Sequence, residues 1–168
     1  MKLVHYFAVL GILMVLIAGC SAKSDKEKAG ETEHAGHGDA HTLPNGDLQE
    51  ATSSAEELPA FLNDKNDDMR TIYLAAAQHP DILASMPCYC GCSDSAGHKS
   101  NLNCFVADIS KEKVVWDDHG TRCGVCLEIA AESIMMSQDG KSLKEIRQYI
   151  VEKYKEGYAK PTPTPMPA

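Results

Sequence analysis

Residues 123–154, CGVCLEIAAESIMMSQDGKSLKEIRQYIVEKY, carry the clearest fold signal in the chain. Leu127, Ala130, Ala131 and Ile134 recur at helical spacing, so a helix is expected from near Cys123, with Asp139-Gly140 as its stop. Ser142 and Glu145 then form a capping box ahead of a second helix whose apolar face is Leu143, Ile146, Ile150 and Tyr154. Together they predict an αα-hairpin. Cys123 aligns with the apolar stripe and is expected to face inward, leaving Cys126 at its edge.

Working outward, Phe105 to Ile109 and Lys113 to Asp117 are β-leaning runs separated by Ser110-Lys111-Glu112, which predicts a small hairpin. Trp116 would anchor that hairpin against the helices. Further upstream, Met69, Ile72, Tyr73 and Ala76 follow i, i+3, i+4, i+7 spacing up to a stop at Pro80, and Pro80 opens a short turn that Pro87 ends. Ser54 with Glu57 reads as a capping box ahead of Leu58, Phe61 and Leu62. The expected fold is a compact single domain, mainly α with a small β-hairpin, spanning residues 54–158.

Composition agrees with this size of core. The chain has 168 residues, 43% hydrophobic and 24% charged, which excludes collagen-like, coiled-coil and wholly disordered classes. Acidic residues outnumber basic ones 24 to 16, for a net charge of −8. With no basic cluster to follow a phosphate backbone, nucleic acid is not an expected partner.

The flanks read differently. Lys2 and the apolar run Leu3 to Ile17 have the pattern of a signal peptide over residues 1–19. Leu16-Ile-Ala-Gly-Cys20 resembles the bacterial lipobox, which implies that Cys20 is acylated and that the chain is held by lipid on the outer face of the cell membrane. Residues 20–53 are polar and Gly-rich and read as a flexible tether. Within it, His34, His37 and His41 form a short histidine tract that reads either as a weak metal collector or as part of a solvated linker. The proline-rich segment 159–168 reads as a tail without a packing role.

Beyond Cys20, six cysteines remain: Cys88, Cys90, Cys92, Cys104, Cys123 and Cys126. Three sit at alternate positions in Pro87-Cys-Tyr-Cys-Gly-Cys92, so an extended backbone aims their sulfurs to one side. Cysteines two apart make a strained disulfide ring, and a shared ligand suits them better. Thiolates are soft donors fit for Cu(I) or Zn(II). Cys123-Gly-Val-Cys126 opens the helix, where unpaired N–H groups favour the thiolate of a metal ligand or of a redox nucleophile. A c-type haem is excluded because Leu127 stands where a histidine is required. Pairing of the hairpin brings Cys104 toward Cys123, and His98 and His119 then complete a donor set of six sulfurs and two imidazoles, enough for two tetrahedral sites or a small thiolate-bridged copper cluster.

Three functions follow from those residues. The first is a binding protein for a soft metal ion, copper or zinc, exchanging it with a donor or acceptor protein. The second is a thiol–disulfide oxidoreductase using Cys123 as nucleophile and Cys126 as resolving thiol; the absence of later strands for a thioredoxin-type sheet argues against an enzyme of that kind. The third is an interaction domain stapled by three disulfides.

Pro87-Cys-Tyr-Cys-Gly-Cys92, Gly97-His98-Lys-Ser-Asn-Leu-Asn-Cys104-Phe, Val115-Trp-Asp-Asp-His119-Gly, Cys123-Gly-Val-Cys126 and the run Gly140 to Tyr149 together resemble the PCYCGC-motif lipoproteins, found mostly in Gram-positive spore-forming bacteria. The resemblance covers about residues 46 to 158. It implies an anchored, extracytoplasmic lipoprotein whose cysteines belong together.

Overall fold

The computed structural model describes residues 40–167. The segment 1–19, Cys20, His34 and His37 lie outside the described residues.

The helices begin and end where local chemistry dictates. Helix α1 (Asp67–Gln78) is capped by the Asn66 side chain, which accepts from the Met69 N–H at 2.9 Å, and carries Asp67 and Asp68 in its first turn. Pro80 at the first position of α2 (Pro80–Ala84) ends α1 and starts the next turn. Helix α3 (Cys92–Ser95) is a single turn entered through Gly91, whose φ of +87° is left-handed and suits glycine. Helix α4 (Gly124–Gln138) and helix α5 (Leu143–Tyr154) form the expected αα-hairpin, with the Ser142/Glu145 capping box in place.

The β-structure is larger than the sequence suggests. Strands β1 (Ala40–Thr42), β2 (Leu48–Thr52), β3 (Val106–Ile109) and β4 (Val114–Asp117) make a four-stranded antiparallel sheet in the order β1-β2-β4-β3. The expected hairpin is β3–β4, with Val106 opposite Trp116 and Ile109 opposite Val114. Its other edge is covered by β2, which sets Gln49 opposite Asp117 and Thr52 opposite Val114. The fold is therefore mixed α/β rather than mainly α.

Three expectations change as a result. Residues 40–53 are not tether: β1 and β2 are joined by a turn in which the Leu43 N–H donates to the Asp47 carbonyl at 2.8 Å, and His41 is an exposed strand residue. Ser54 and Glu57 do not start a helix; the Glu57 carboxylate instead accepts from the Ser53 N–H and hydroxyl, and the chain runs through turns into a 3-10 turn at Ala60–Leu62. The proline-rich tail packs: Thr162 and Thr164 are buried while Pro161, Pro163 and Pro165 are exposed.

The core has two parts. Leu62, Tyr73, Leu83, Phe105, Trp116 and Ile134 surround four buried cysteines, Cys88, Cys92, Cys104 and Cys126. Met86, Tyr89, Ile129, Ile146, Ile150 and Tyr154 fill the space inside the αα-hairpin. Trp116 is fully buried and its indole N–H donates to Thr52 Oγ1 at 2.7 Å, which ties β4 to β2 from inside the core. Among the described residues, no helix is long and apolar enough to cross a membrane.

Candidate metal centre

Three segments converge at one end of α4. The first is the loop 86–104, the second is the 3-10 turn Asp118–Arg122 that follows β4, and the third is the N-terminus of α4 itself. Because the Asp117 N–H donates to the Phe105 carbonyl at 2.8 Å, the hairpin delivers His119 to the neighbourhood of Cys104. All eight donor residues expected from the sequence meet there.

The sulfurs form one continuous set. Cys92 lies 3.9 Å from Cys104, Cys104 lies 3.8 Å from Cys88, and Cys88 lies 3.4 Å from Cys90 and 3.2 Å from Cys126. Cys126 in turn lies 3.5 Å from Cys90 and 2.7 Å from Cys123. All six cysteines are free of disulfides. A tetrahedral ion with bonds of about 2.3 Å holds its sulfurs about 3.8 Å apart, the spacing that Cys104 keeps to Cys88 and Cys92. The Cys123–Cys126 pair, at 2.7 Å, is tighter and would have to open by about 1 Å to share an ion on the same geometry.

The imidazoles border this set on one side. His98 Nδ1 is 3.4 Å from Cys104 Sγ, His119 Nε2 is 3.8 Å from Cys90 Sγ, and the two rings meet edge to face with centroids 4.8 Å apart. Ligand atoms of Cys92, His98, Cys104 and His119 lie within 4.8 Å of one another, as do those of Cys90, Cys123 and Cys126. The arrangement fits soft ions in both ligand type and spacing.

One expected orientation is reversed. Cys126 is fully buried, and Cys123 is the half-buried cap of α4, its sulfur accepting from the Cys126 N–H at 3.3 Å. The inward face of α4 is Cys126, Ile129, Ala130, Ser133 and Ile134, about one residue around from the stripe expected at Leu127. A cap residue lies outside the helical φ/ψ, so Cys123 does not extend the helical periodicity.

The residues that hold these donors include several that sequence reading missed. Asp47, buried in the β1–β2 turn, places its carboxylate 3.2 Å from His119 Nδ1 and also pairs with Arg122. A carboxylate behind the other ring nitrogen is the usual way a ligating histidine is oriented. The Asp117 carboxylate accepts from the His119 N–H at 2.9 Å, fixing the start of that turn. Asn101 Nδ2 donates to the Cys126 carbonyl at 3.1 Å. Thr162, in the tail, accepts from the Cys88 N–H through Oγ1 and donates its own N–H to the Cys88 carbonyl, each at 2.9 Å. The Pro44-Asn45-Gly46 turn signal was the clue to Asp47, and the strict Pro-Thr alternation was the clue to Thr162.

Proton affinities divide the cluster. Contacts with Cys104, then Cys123 and Cys126, hold Cys88 and Cys90 toward the thiolate, because neighbouring S–H groups donate to them. Contact with Cys126 pushes Cys104 and Cys123 the other way. His119 is pushed up to about 9, first by Cys90 and against its burial, with Asp47 adding to the effect. His98 is lowered, first by burial and then by the adjacent His119. Without a cation the site distributes protons unevenly; a cation lets the thiolates coexist.

A family model described as protein of unknown function with PCYCGC motif matches residues 9–167. Searches among curated proteins and among solved structures find no match. Matched over nearly its entire length and carrying the signature at Pro87–Cys92, the chain belongs to the PCYCGC-motif family.

Proposed function

We propose that this protein binds a soft metal ion, Cu(I) or Zn(II), through Cys88, Cys90, Cys92, Cys104, Cys123 and Cys126, with His98 and His119 as nitrogen ligands. The observation that carries the reading is the contiguity of six disulfide-free sulfurs with two imidazoles, four of the sulfurs being almost wholly removed from solvent. Packing so many thiols together serves no purpose that smaller apolar residues would not serve, whereas a shared cation uses all of them. The lipobox at Leu16–Cys20 supports attachment by lipid to the extracytoplasmic face of the cell membrane, where the protein captures its ion and exchanges it with a donor or acceptor protein. The test is elemental analysis with thiol counting on protein purified anaerobically in detergent. Bound metal, with thiols that titrate only after chelation, is the expected result. A metal-free chain that takes up neither Cu(I) nor Zn(II), or one isolated with three disulfides, overturns the reading.

A second reading, thiol–disulfide exchange at Cys123 and Cys126, draws on their 2.7 Å separation and on the half-buried position of Cys123. It leaves Cys88, Cys90, Cys92 and Cys104 without a role. Under it, Cys123→Ser abolishes disulfide reductase activity; under the metal reading there is no such activity to lose.

A further inference from the structure

The eight donors are not equivalent in their access to solvent. Cys92 and Cys104 are 1% and 0% exposed, while His98, 8% exposed, lines a different cavity, of about 270 Å³, with Leu43, Gln49 and Asp117. On the other side, Cys90 and Cys123 are half-buried and line a cavity of about 550 Å³ whose other walls include Asn45, Asp47, His119 and Arg122. Of the six sulfurs, only those two reach this cavity.

Distance gives a grouping of its own, in which Cys88 and Cys126, both 0% exposed, go with Cys90 and Cys123, and His119, although it lines the cavity, goes with Cys92, His98 and Cys104. Cys88 is closer to Cys90 and Cys126, at 3.4 and 3.2 Å, than to Cys104, at 3.8 Å. Cys92, His98, Cys104 and His119 form a compact four-donor set, which meets the remaining sulfurs where His119 Nε2 comes 3.8 Å from Cys90 and Cys104 comes 3.8 Å from Cys88. Assigning each donor once gives an all-sulfur set of Cys88, Cys90, Cys123 and Cys126, and a mixed set of two sulfurs and two nitrogens.

We infer that the centre is two unequal sites in series: an inner Cys92–His98–Cys104–His119 site that retains its ion, and an outer Cys88–Cys90–Cys123–Cys126 site that exchanges its ion through the cavity bordered by Cys90 and Cys123. The inference rests on the metal-binding reading and adds its stoichiometry and its port.

Exchange at the outer site is ligand substitution without change of oxidation state. Bonds from the ion to the thiolates of an incoming carrier break as bonds to Cys90 and Cys123 Sγ form. Protons on the two receiving thiols pass to the thiolates released from the carrier or to water. Cys88 and Cys126, buried behind them, complete the coordination once the carrier has left, each releasing its proton, where it carries one, to water in the cavity. Cys88 also lies beside Cys104, so the two sites share a sulfur–sulfur contact at 3.8 Å.

Cadmium(II) is a suitable probe, since its NMR shift moves downfield with the number of bound sulfurs. The full chain in detergent, loaded with cadmium(II), is expected to show two resonances, the downfield one from the all-sulfur site. A chelator is expected to remove the downfield signal first. Cys123→Ser shifts or abolishes that signal and leaves the other in place; Cys90→Ser, at the second half-buried ligand, does the same and guards against a folding defect particular to one variant. A single resonance, equal loss of both signals to chelator, or a Cys123→Ser effect on both overturns the two-site inference while leaving metal binding intact. Failure to bind cadmium, copper or zinc at all overturns the underlying reading as well.

Discussion

His119 and Asp47 face each other at 3.2 Å across the turn that follows β4, with Nε2 of the same ring 3.8 Å from Cys90 Sγ. The carboxylate thus holds the proton on Nδ1 and leaves Nε2 as the nitrogen that gives up its proton to a metal ion. Asp47→Asn keeps the shape and removes the charge, and is expected to weaken metal binding about ten- to a hundredfold. Competition with a chromogenic chelator measures it, with circular dichroism confirming the fold. An affinity equal to that of the parent protein would show that Asp47 only anchors Arg122.

The tail is the second place where a single change should tell. Thr162→Val removes the hydroxyl that accepts from the Cys88 N–H, leaving a buried amide without that partner at a cost of about 1–3 kcal/mol. Thermal unfolding of the metal-free protein is expected to shift down accordingly, and the loaded protein to lose its ion faster. An unchanged melting temperature would mean that the tail follows the loop without supporting it.

Gly120 is fixed by space rather than by backbone angle. A Cβ there would sit 2.6 Å from Phe105 Cε1 and 2.9 Å from the Cys104 carbonyl oxygen. Gly120→Ala is therefore expected to destabilise the protein by about 1–3 kcal/mol through overpacking, measured by denaturant unfolding, and to displace Cys104 from its neighbours.

The metal-free protein should also alkylate in order. With limiting iodoacetamide, Cys90, half-buried and held toward the thiolate, is expected to be modified first and Cys123 next, ahead of Cys88, Cys92, Cys104 and Cys126, because only those two are partly exposed. Peptide mass mapping over a time course reads the order, and prior modification of Cys104 would contradict the burial described above.

Helix α5 supplies a pH test remote from the cysteines. The Ser142 N–H and hydroxyl hold the Glu145 carboxylate below its ordinary value of 4.5. A depressed folded value means that the contribution is present above pH 4.5 and is lost as the pH falls through that lower value. The stability gap between the parent and Glu145→Gln is expected to be widest near neutrality and to close in acid, as followed by thermal unfolding at a series of pH values.

What could be read from the sequence was whatever local chemistry dictates. The capping box at Ser142, the stop at Gly140 and the β3–β4 hairpin each depend on neighbours in the chain, and each forms as expected. The convergence of the cysteines was legible because the hairpin register alone carries Cys104 toward the start of α4. Strand β2 was missed because its sequence, Leu-Gln-Glu-Ala-Thr, has no run of β-branched residues; it is held by pairing to β4 and by Glu50, whose carboxylate accepts from the Ala60 N–H at 2.7 Å. The tail was missed because its composition is that of a solvated linker, and only tertiary hydrogen bonds make it part of the body. Cys123 and Cys126 exchanged roles because a helix cap does not obey the helix period.

The strap formed by residues 159–165 has a temporal consequence. Ala159 N–H donates to the Tyr89 carbonyl, Thr164 Oγ1 donates to the Lys99 carbonyl, and Arg147 fastens the carbonyls of Thr164 and Pro165. These residues leave the ribosome after every cysteine has been made. A nascent chain therefore holds Cys88, Cys90, Cys92 and Cys104 in an unfinished loop, open to oxidation and mispairing, until its closing segment arrives. Maturation of the centre is a late event by construction, and a chaperone or reductant acting before that moment would guard the thiols better than one acting after it.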